Sequence, residues 1–156
     1  MALVRRFFYK NAITLSMKPY EVFEHTADVG IRAYGKDINQ AFENAAFGMF
    51  DIITDVEKIE AVGEYDITMD ALDLEQLLVD WLSELLYIHT IKQVMFSQFS
   101  VEIEGEEGKL HLKGKAKGEF YDEKRHPYHT EIKAVTHHIL KIERNEDYTI
   151  QVLFDI

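Results

Sequence analysis

Apolar positions along the chain keep to two periods, and the change from one to the other outlines the fold. Tyr20 to Phe23 and Val29 to Tyr34 read as short β-like pieces on either side of a polar interruption. Asp37-Ile38-Asn39-Gln40 then has the form of a capped helix start, with Asp37 as N-cap and Gln40 at the reciprocal capping-box position. Behind it Ile38, Ala41, Phe42, Ala45, Met49 and Ile53 recur at the spacing of one buried helix face, which predicts a helix ending between Asp51 and Asp55. Tyr65, Ile67 and Met69 alternate with Asp66, Thr68 and Asp70, the pattern of a half-buried strand. A second capping box, Asp73-Leu74-Glu75-Gln76, opens a second helix. Its stripe of Leu74, Leu77, Leu78, Trp81, Leu82 and Leu85 runs to near His89 and places Trp81 in the core.

From Phe99 onward the period is two. Phe99, Val101 and Ile103 alternate with charged residues, Gly105-Glu106-Glu107-Gly108 supplies a turn, and Leu110 and Leu112 resume the alternation as the second arm of a hairpin. Gly114, Ala116 and Gly118 leave one face of that arm bare, which suits a bulge or a close approach of another element. Asp122 to Thr130, with Pro127, is the main loop. Ile132, Ala134, Thr136, His138, Leu140 and Ile142 are expected to form one face of a long strand, and Asn145-Glu146-Asp147 turns the chain into Tyr148, Ile150, Val152 and Phe154. The grouping of helices and hairpins implies the α+β class: a mostly antiparallel β-sheet with two amphipathic helices packed on one face, in a single compact domain.

Two features resist this frame. Glu24-His25-Thr26-Ala27-Asp28-Val29-Gly30 crowds polar residues between two strand-like pieces, and such breaches of local rules concentrate at functional sites; Asp28, between a small Ala and a permissive Gly, is the first candidate. The plain alternative is a turn Asp bonding its own backbone. At the other end, Phe154-Asp155-Ile156 closes a strand without a polar tail. Hairpin register through the Arg144–Asp147 turn sets Asp155 opposite Val135 to within one residue, with Lys133 a step further. That gathers the Asp155 side chain, the carboxylate of Ile156 and the Lys133 ammonium at one sheet end, where the plain alternative is a strand-end salt bridge.

Composition narrows the chemistry. With 156 residues, 47% hydrophobic, the chain has the size of one domain with a real core. It has no cysteine, so any metal must be held by oxygen or imidazole, and an intracellular, cytoplasmic address is compatible. A formal net charge of -11 disfavours strong direct binding to nucleic acid and favours a protein or cation partner. No apolar run approaches the ~20 residues that span a bilayer. The stretch from Met1 to Lys18 carries Arg5, Arg6, Lys10 and Lys18 and no acid; residues 1–16 read as a dispensable leader or start-site extension before a domain at 17–156. Among the histidines, His137 and His138 are neighbours on an expected strand and point to opposite faces, while His126 and His129 flank Pro127 in a loop where a turn role fits better than ligation. A zinc hydrolase would have to rest on His25, Asp28 and one later histidine.

Taken together, Glu24 to Gly30, Trp81-Leu82-Ser83-Glu84-Leu85-Leu86-Tyr87, Arg125-His126-Pro127, Glu131-Ile132-Lys133-Ala134-Val135-Thr136 and the terminal Phe154-Asp155-Ile156 resemble the archease family, over about Met17 to Ile156. Residues 1–16 lie outside the pattern, and His137 stands where family members commonly have Tyr. The resemblance implies an accessory protein, not an enzyme, that activates the metal-dependent tRNA-splicing RNA ligase by promoting guanylylation of the ligase histidine and repeated turnover. It implies a divalent cation at Asp28, Asp155 and the terminal residue Ile156, and an activating role for Lys133. An oxygen-only site suits Ca²⁺ or Mg²⁺. The competing class is a small metal-dependent phosphohydrolase acting on nucleotides or phosphate esters. Against it, both helices open on Asp where a phosphate loop would place glycines, and Gly114-x-x-x-Gly118 sits in a strand.

Overall fold

The computed structural model describes residues 19–156; the leader expected at 1–16 lies outside the described residues. Among the described residues, seven strands and two α-helices run in the order β1 (Tyr20–His25), β2 (Asp28–Gly35), α1 (Ile38–Ile53), a 3-10 turn (Val56–Lys58), β3 (Gly63–Ala71), α2 (Leu74–Lys92), β4 (Val94–Glu106), β5 (Lys109–Phe120), β6 (Ala134–Arg144) and β7 (Tyr148–Asp155). The α+β class, antiparallel throughout the described residues and with both helices against the β-structure, is as the patterning implies. The strands divide into two sheets, one ordered β1-β2-β7-β6 and one ordered β3-β5-β4. The alternation within each strand reports a buried face and carries no information on which sheet buries it.

The helices tie the sheets together. α1 lies on β1, β2 and β7 and also against β4, while α2 lies against β6 and against β3, β4 and β5. Side chains of α1 also cap part of the exposed edge of β4: the Val101 N–H donates to Glu43 Oε2 (2.9 Å) and the Ile103 N–H to Asn39 Oδ1 (3.0 Å). Burial pushes the Glu43 carboxyl up, against the lowering effect of that Val101 bond. Trp81 is fully buried, its Nε1–H donates to the Phe42 carbonyl (3.2 Å), and its ring lies where a Cβ on Gly114 would be, 2.5 Å from the indole. The bare face of β5 is therefore a seat for Trp81. At Gly118 the same bareness admits the Met95 carbonyl beside the bulge at Phe96/Gln98.

Both N-caps form, Asp37 accepting from Gln40 N–H and Asp73 from Gln76 N–H, but the reciprocal halves of the boxes go elsewhere. Gln40 Oε1 accepts from Lys36 N–H, and Gln76 reaches down the helix to Asp80. α2 runs on past His89 to Lys92 and ends at Gln93 in the left-handed region (φ 58°), from where β4 starts at Val94, five residues before the alternation becomes visible. The largest correction concerns β6. Thr136 pairs with Leu153, yet the next pair is Lys141 with Gln151, so His137 to Leu140 form a multi-residue bulge with Ile139 at φ 51°. The single face expected from Ile132 to Ile142 is broken there, because the extra residues reset which side chains point inward. Among the described residues no helix is long and apolar enough to cross a membrane.

Candidate functional site

One end of the four-stranded sheet carries the polar interruption. The Cα partners line up across all four strands: His25 opposite Asp28, Asp28 opposite Asp155, and Asp155 opposite Ala134. Directly paired residues of antiparallel strands project from the same face, so two carboxylates stand side by side on the face away from the helices. The next rung inward is Phe23, Gly30, Leu153 and Thr136. There the Phe23 ring occupies the space a Cβ on Gly30 would need, as close as 2.3 Å, and the Arg32 guanidinium stacks on that ring at 4.4 Å while its Nε–H donates to Gln151 Oε1 (3.1 Å). This glycine is thus required by a side chain crossing from the neighbouring strand, and the stacked group braces the rung that bears Asp28.

The turn between β1 and β2 has only Thr26 and Ala27, with Thr26 at φ 47°, a conformation costly for a β-branched residue. Across it His25 Nδ1 lies 3.8 Å from Asp28 Oδ2, beyond hydrogen-bond reach, and that nitrogen is buried with no partner. The His25 ring meets the edge of the His138 ring at 5.5 Å. β1 and β6 are separated by two strands, roughly 14 Å at the usual strand spacing, so the β6 bulge must arch over the face to bring these rings together. Leu153, on the rung next to Asp155, is 1% exposed yet lies outside the main core cluster. His137 goes the other way, with Nε2 3.4 Å from Gln76 Oε1 on α2. The expected divergence of the two histidines holds, although a bulge and not strand alternation produces it.

Lys133 arrives from the long connection between β5 and β6. Its backbone N–H donates to the Asp155 carbonyl (2.7 Å), so the link foreseen between the two runs through the main chain. Lys133 also borders a cleft of about 380 Å³ whose other walls include Thr90, Gln93, Tyr121, Tyr128 and Glu131. Beneath it, His89 is buried with Nδ1 2.8 Å from the Val94 carbonyl, which makes Nδ1 the protonated nitrogen and leaves Nε2 to accept from the Tyr128 hydroxyl (3.1 Å). Burial holds His89 below the usual histidine range.

The connection itself is pinned. His126 is 2% exposed; its Nδ1 accepts from Asp122 N–H (2.9 Å), so Nε2 carries the proton toward Glu119 Oε2 (3.0 Å). Arg125 pairs with the other oxygen of Glu119, and His129 with Asp55 (2.8 Å). Burial alone would raise the Glu119 carboxyl, but bonds from Arg125, the Glu60 N–H and His126 outweigh it and hold the group at about 2. Arg125-His126 is therefore a structural corner, as the loop reading of His126 anticipated.

Asp28, Asp155, Ile156 and Lys133 are thus neighbours at one sheet end, with Asp155 opposite Ala134, one residue from the expected Val135. Among the described residues, no three His, Cys, Asp or Glu side chains are gathered as a ready-made ion site. The oxygen donors nevertheless suit a hard cation: two carboxylates on adjacent strands and the exposed terminal residue beside them. His138 is the neighbour that sequence reading missed, since nothing in the alternation announces the bulge that carries it.

Comparison with known proteins decides the family. The Archease protein family (MTH1598/TM1083) matches residues 20–156. The chain belongs to the archease family. It is 48% identical over 131 residues to protein archease of Pyrococcus furiosus, covering 84% of this chain and 92% of that one. With protein archease of Methanosarcina mazei it shares 47% identity over 141 residues, 89% of this chain and 97% of the relative. The solution structure of Methanobacterium thermoautotrophicum protein 1598 superposes with a TM-score of 0.80 at 41% identity, covering 90% of this chain and all of that one. Of the five stretches that carry the resemblance, Glu24–Gly30 and the end of β7 build the carboxylate rung, Arg125–Pro127 and Glu131–Thr136 lie in and just after the connection that closes on it, and Trp81–Tyr87 lies in α2.

Proposed function

We propose that this archease-family protein is the non-catalytic activator of a metal-dependent tRNA-splicing RNA ligase, promoting guanylylation of the ligase histidine and repeated turnover in the cytoplasm. The family's general role is tied to tRNA ligation, in proteins that act as accessory factors. The observation that carries the proposal is the pairing of Asp28 with Asp155 at the terminus, with Lys133 hydrogen-bonded to Asp155 through its main chain. Like charges directly opposite on adjacent strands destabilise a sheet, and a counter-cation removes that cost. Asp28, Asp155 and the carboxylate of Ile156 would hold Ca²⁺ or Mg²⁺, which supplies positive charge toward phosphate oxygens.

Within the chain's own residues, Asp28 and Asp155 set the place of that charge and Phe23 over Gly30 keeps their strands in register. Lys133 adds an ammonium on the same sheet end, and nucleotidyl transfer gains chiefly from such positioned charge on non-bridging oxygens. The net charge of -11 suits docking on a protein rather than direct capture of RNA. The test is ligase guanylylation under limiting ligase, with and without this protein. Asp28→Ala should lose both cation binding and stimulation; Lys133→Ala should keep folding and cation affinity and lose stimulation. Normal stimulation by Lys133→Ala at saturating metal would make Lys133 scaffolding. Turnover of GTP or simple phosphate esters by the protein alone would instead establish the phosphohydrolase.

A further inference from the structure

The cleft of about 380 Å³ that Lys133 borders combines aromatic walls with charges of both signs. Its volume lies within the ~300–1,000 Å³ of ordinary small-molecule sites. Tyr128, on one wall, is 44% exposed yet firmly held: its hydroxyl donates to the buried His89 Nε2 (3.1 Å), and the Tyr121 ring meets it edge-on at 5.7 Å and 88°. A planar ring fixed in place with much of its surface open is a stacking platform for another planar group. Ile132, 4% exposed, anchors the chain between Glu131 and Lys133, both of which are exposed and line the cleft. Burial and then the charge of Glu131 hold the Tyr128 hydroxyl above the usual phenol range, which sets that carboxylate near the ring. Among the described residues no ion pair engages either Glu131 or Lys133, so both charges are available to a ligand.

We propose that this cleft binds a guanine nucleotide, with the base stacked against Tyr128, its donor edge on the Glu131 carboxylate and its phosphates toward Lys133. The inference rests on the activator reading for the cation beside Lys133, and deepens it by naming the nucleotide that this end of the molecule would take. The lining selects by charge. A carboxylate alone suits a cationic side chain and an ammonium alone suits a free phosphate; the two together suit a molecule with hydrogen-bond donors at one end and negative charge at the other. Tyr128 adds that the donor end be planar. Guanine sets two donors, N1–H and the N2 amine, side by side where one carboxylate accepts both, whereas adenine places an acceptor, N1, beside its single amine. The main-chain bond from Lys133 to the Asp155 carbonyl (2.7 Å) puts the Lys133 side of the cleft next to Asp155 and its partner Asp28, so the phosphates would lie toward the proposed cation.

The experiment is calorimetric titration of the full chain, unaltered and as Glu131→Gln, Tyr128→Leu, Tyr128→Phe and Asp28→Ala, with GMP and AMP in chelator and with GTP in MgCl₂. The unaltered chain is expected to bind GMP at least about tenfold more tightly than AMP, and Glu131→Gln to lose most of that preference. Tyr128→Leu should weaken both nucleotides by about tenfold or more, and Tyr128→Phe, which keeps the ring, by less than about threefold. Amide shifts on adding GMP should fall on residues 89–93 and 121–133. No GMP binding at millimolar concentration, equal binding of AMP, or an unchanged preference in Glu131→Gln would overturn the proposal. Binding of N-acetylargininamide but not of GMP would overturn it as well, and make the cleft a seat for a basic side chain of a protein partner. GTP in MgCl₂ should bind more tightly than GMP, and lose that gain in Asp28→Ala; a gain that persists in Asp28→Ala would refute the cation reading while the GMP result stands. Stimulation of the ligase by a chain that binds no GMP would sink this inference alone. Glu131→Gln alters only an exposed side chain, so a folding defect in Tyr128→Leu does not decide the question.

Discussion

Two polar clusters in this protein use the same residue types to opposite ends. At the corner after β5, Glu119 receives Arg125, His126 and the Glu60 N–H, His126 has both ring nitrogens bonded, and Asp122 closes the turn on the Arg125 and His126 N–H groups. At the end of the larger sheet, Asp28 faces Asp155 with no Lys or Arg among the described residues paired to either, and His25 holds an unpartnered nitrogen. The first cluster is satisfied internally, and its product is a rigid connection that delivers Lys133 to Asp155. The second is left incomplete on a braced frame of Phe23, Gly30 and Arg32. Identical chemistry is structural where every donor meets an acceptor, and available for binding where the fold holds acceptors together without a donor.

Disrupting the satisfied cluster should have the largest effect. Glu119→Ala strips Arg125 and the buried His126 of their acceptor and is expected to cost about 2–4 kcal/mol. Thermal melts should then shift down by about 6–12 °C for a domain of this size, with calcium affinity at the other end unchanged below the transition. A shift of under a degree would erase the distinction between the two clusters.

The same cluster sets an acid limb. Because the folded carboxyl of Glu119 is held at about 2, below its ordinary 4.5, its contribution is complete above the unfolded value and is lost as pH falls from about 4.5 through about 2. Urea unfolding at pH 5 and pH 3 should show a steeper decline in the unaltered chain than in Glu119→Gln. Equal slopes would assign the acid limb to other carboxylates.

The incomplete cluster should respond with the opposite sign. Asp28→Asn, measured in chelator, is expected to stabilise by about 0.5–1 kcal/mol by removing one of two facing charges, while calcium no longer stabilises the variant. A loss of stability in chelator would mean that Asp28 serves the fold after all. Smallest of the four, Thr26→Gly should stabilise by about 0.5 kcal/mol, the relief of a positive φ partly offset by the entropy of glycine; denaturant midpoints resolve this, and a decrease would show that the turn is unstrained.

Local signals carried much of this structure into the sequence. The caps at Asp37 and Asp73, the stripe through Trp81, the hairpin at Gly105–Gly108 and the turn before Tyr148 each depend on residues a few positions apart, and all formed. Carried unbroken from Arg144 opposite Tyr148, the register of this hairpin would set Asp155 opposite His137. The three extra residues of the β6 bulge move its partner to Ala134, one residue from the expected Val135, so the final pairing depends on the bulge as well as on the turn.

By itself, then, the sequence determined the elements, the buried faces of all but β6, the polar break at His25–Asp28 and the family. Tertiary structure alone decided that the strands form two sheets bridged by α1, that Phe23 crosses onto Gly30, and that His138 arches over two strands to reach His25. The physical reason is the range of the forces involved: periodicity and caps are written in neighbours along the chain. Which sheet a strand joins, and where a bulge must yield, depends on packing against segments many residues away.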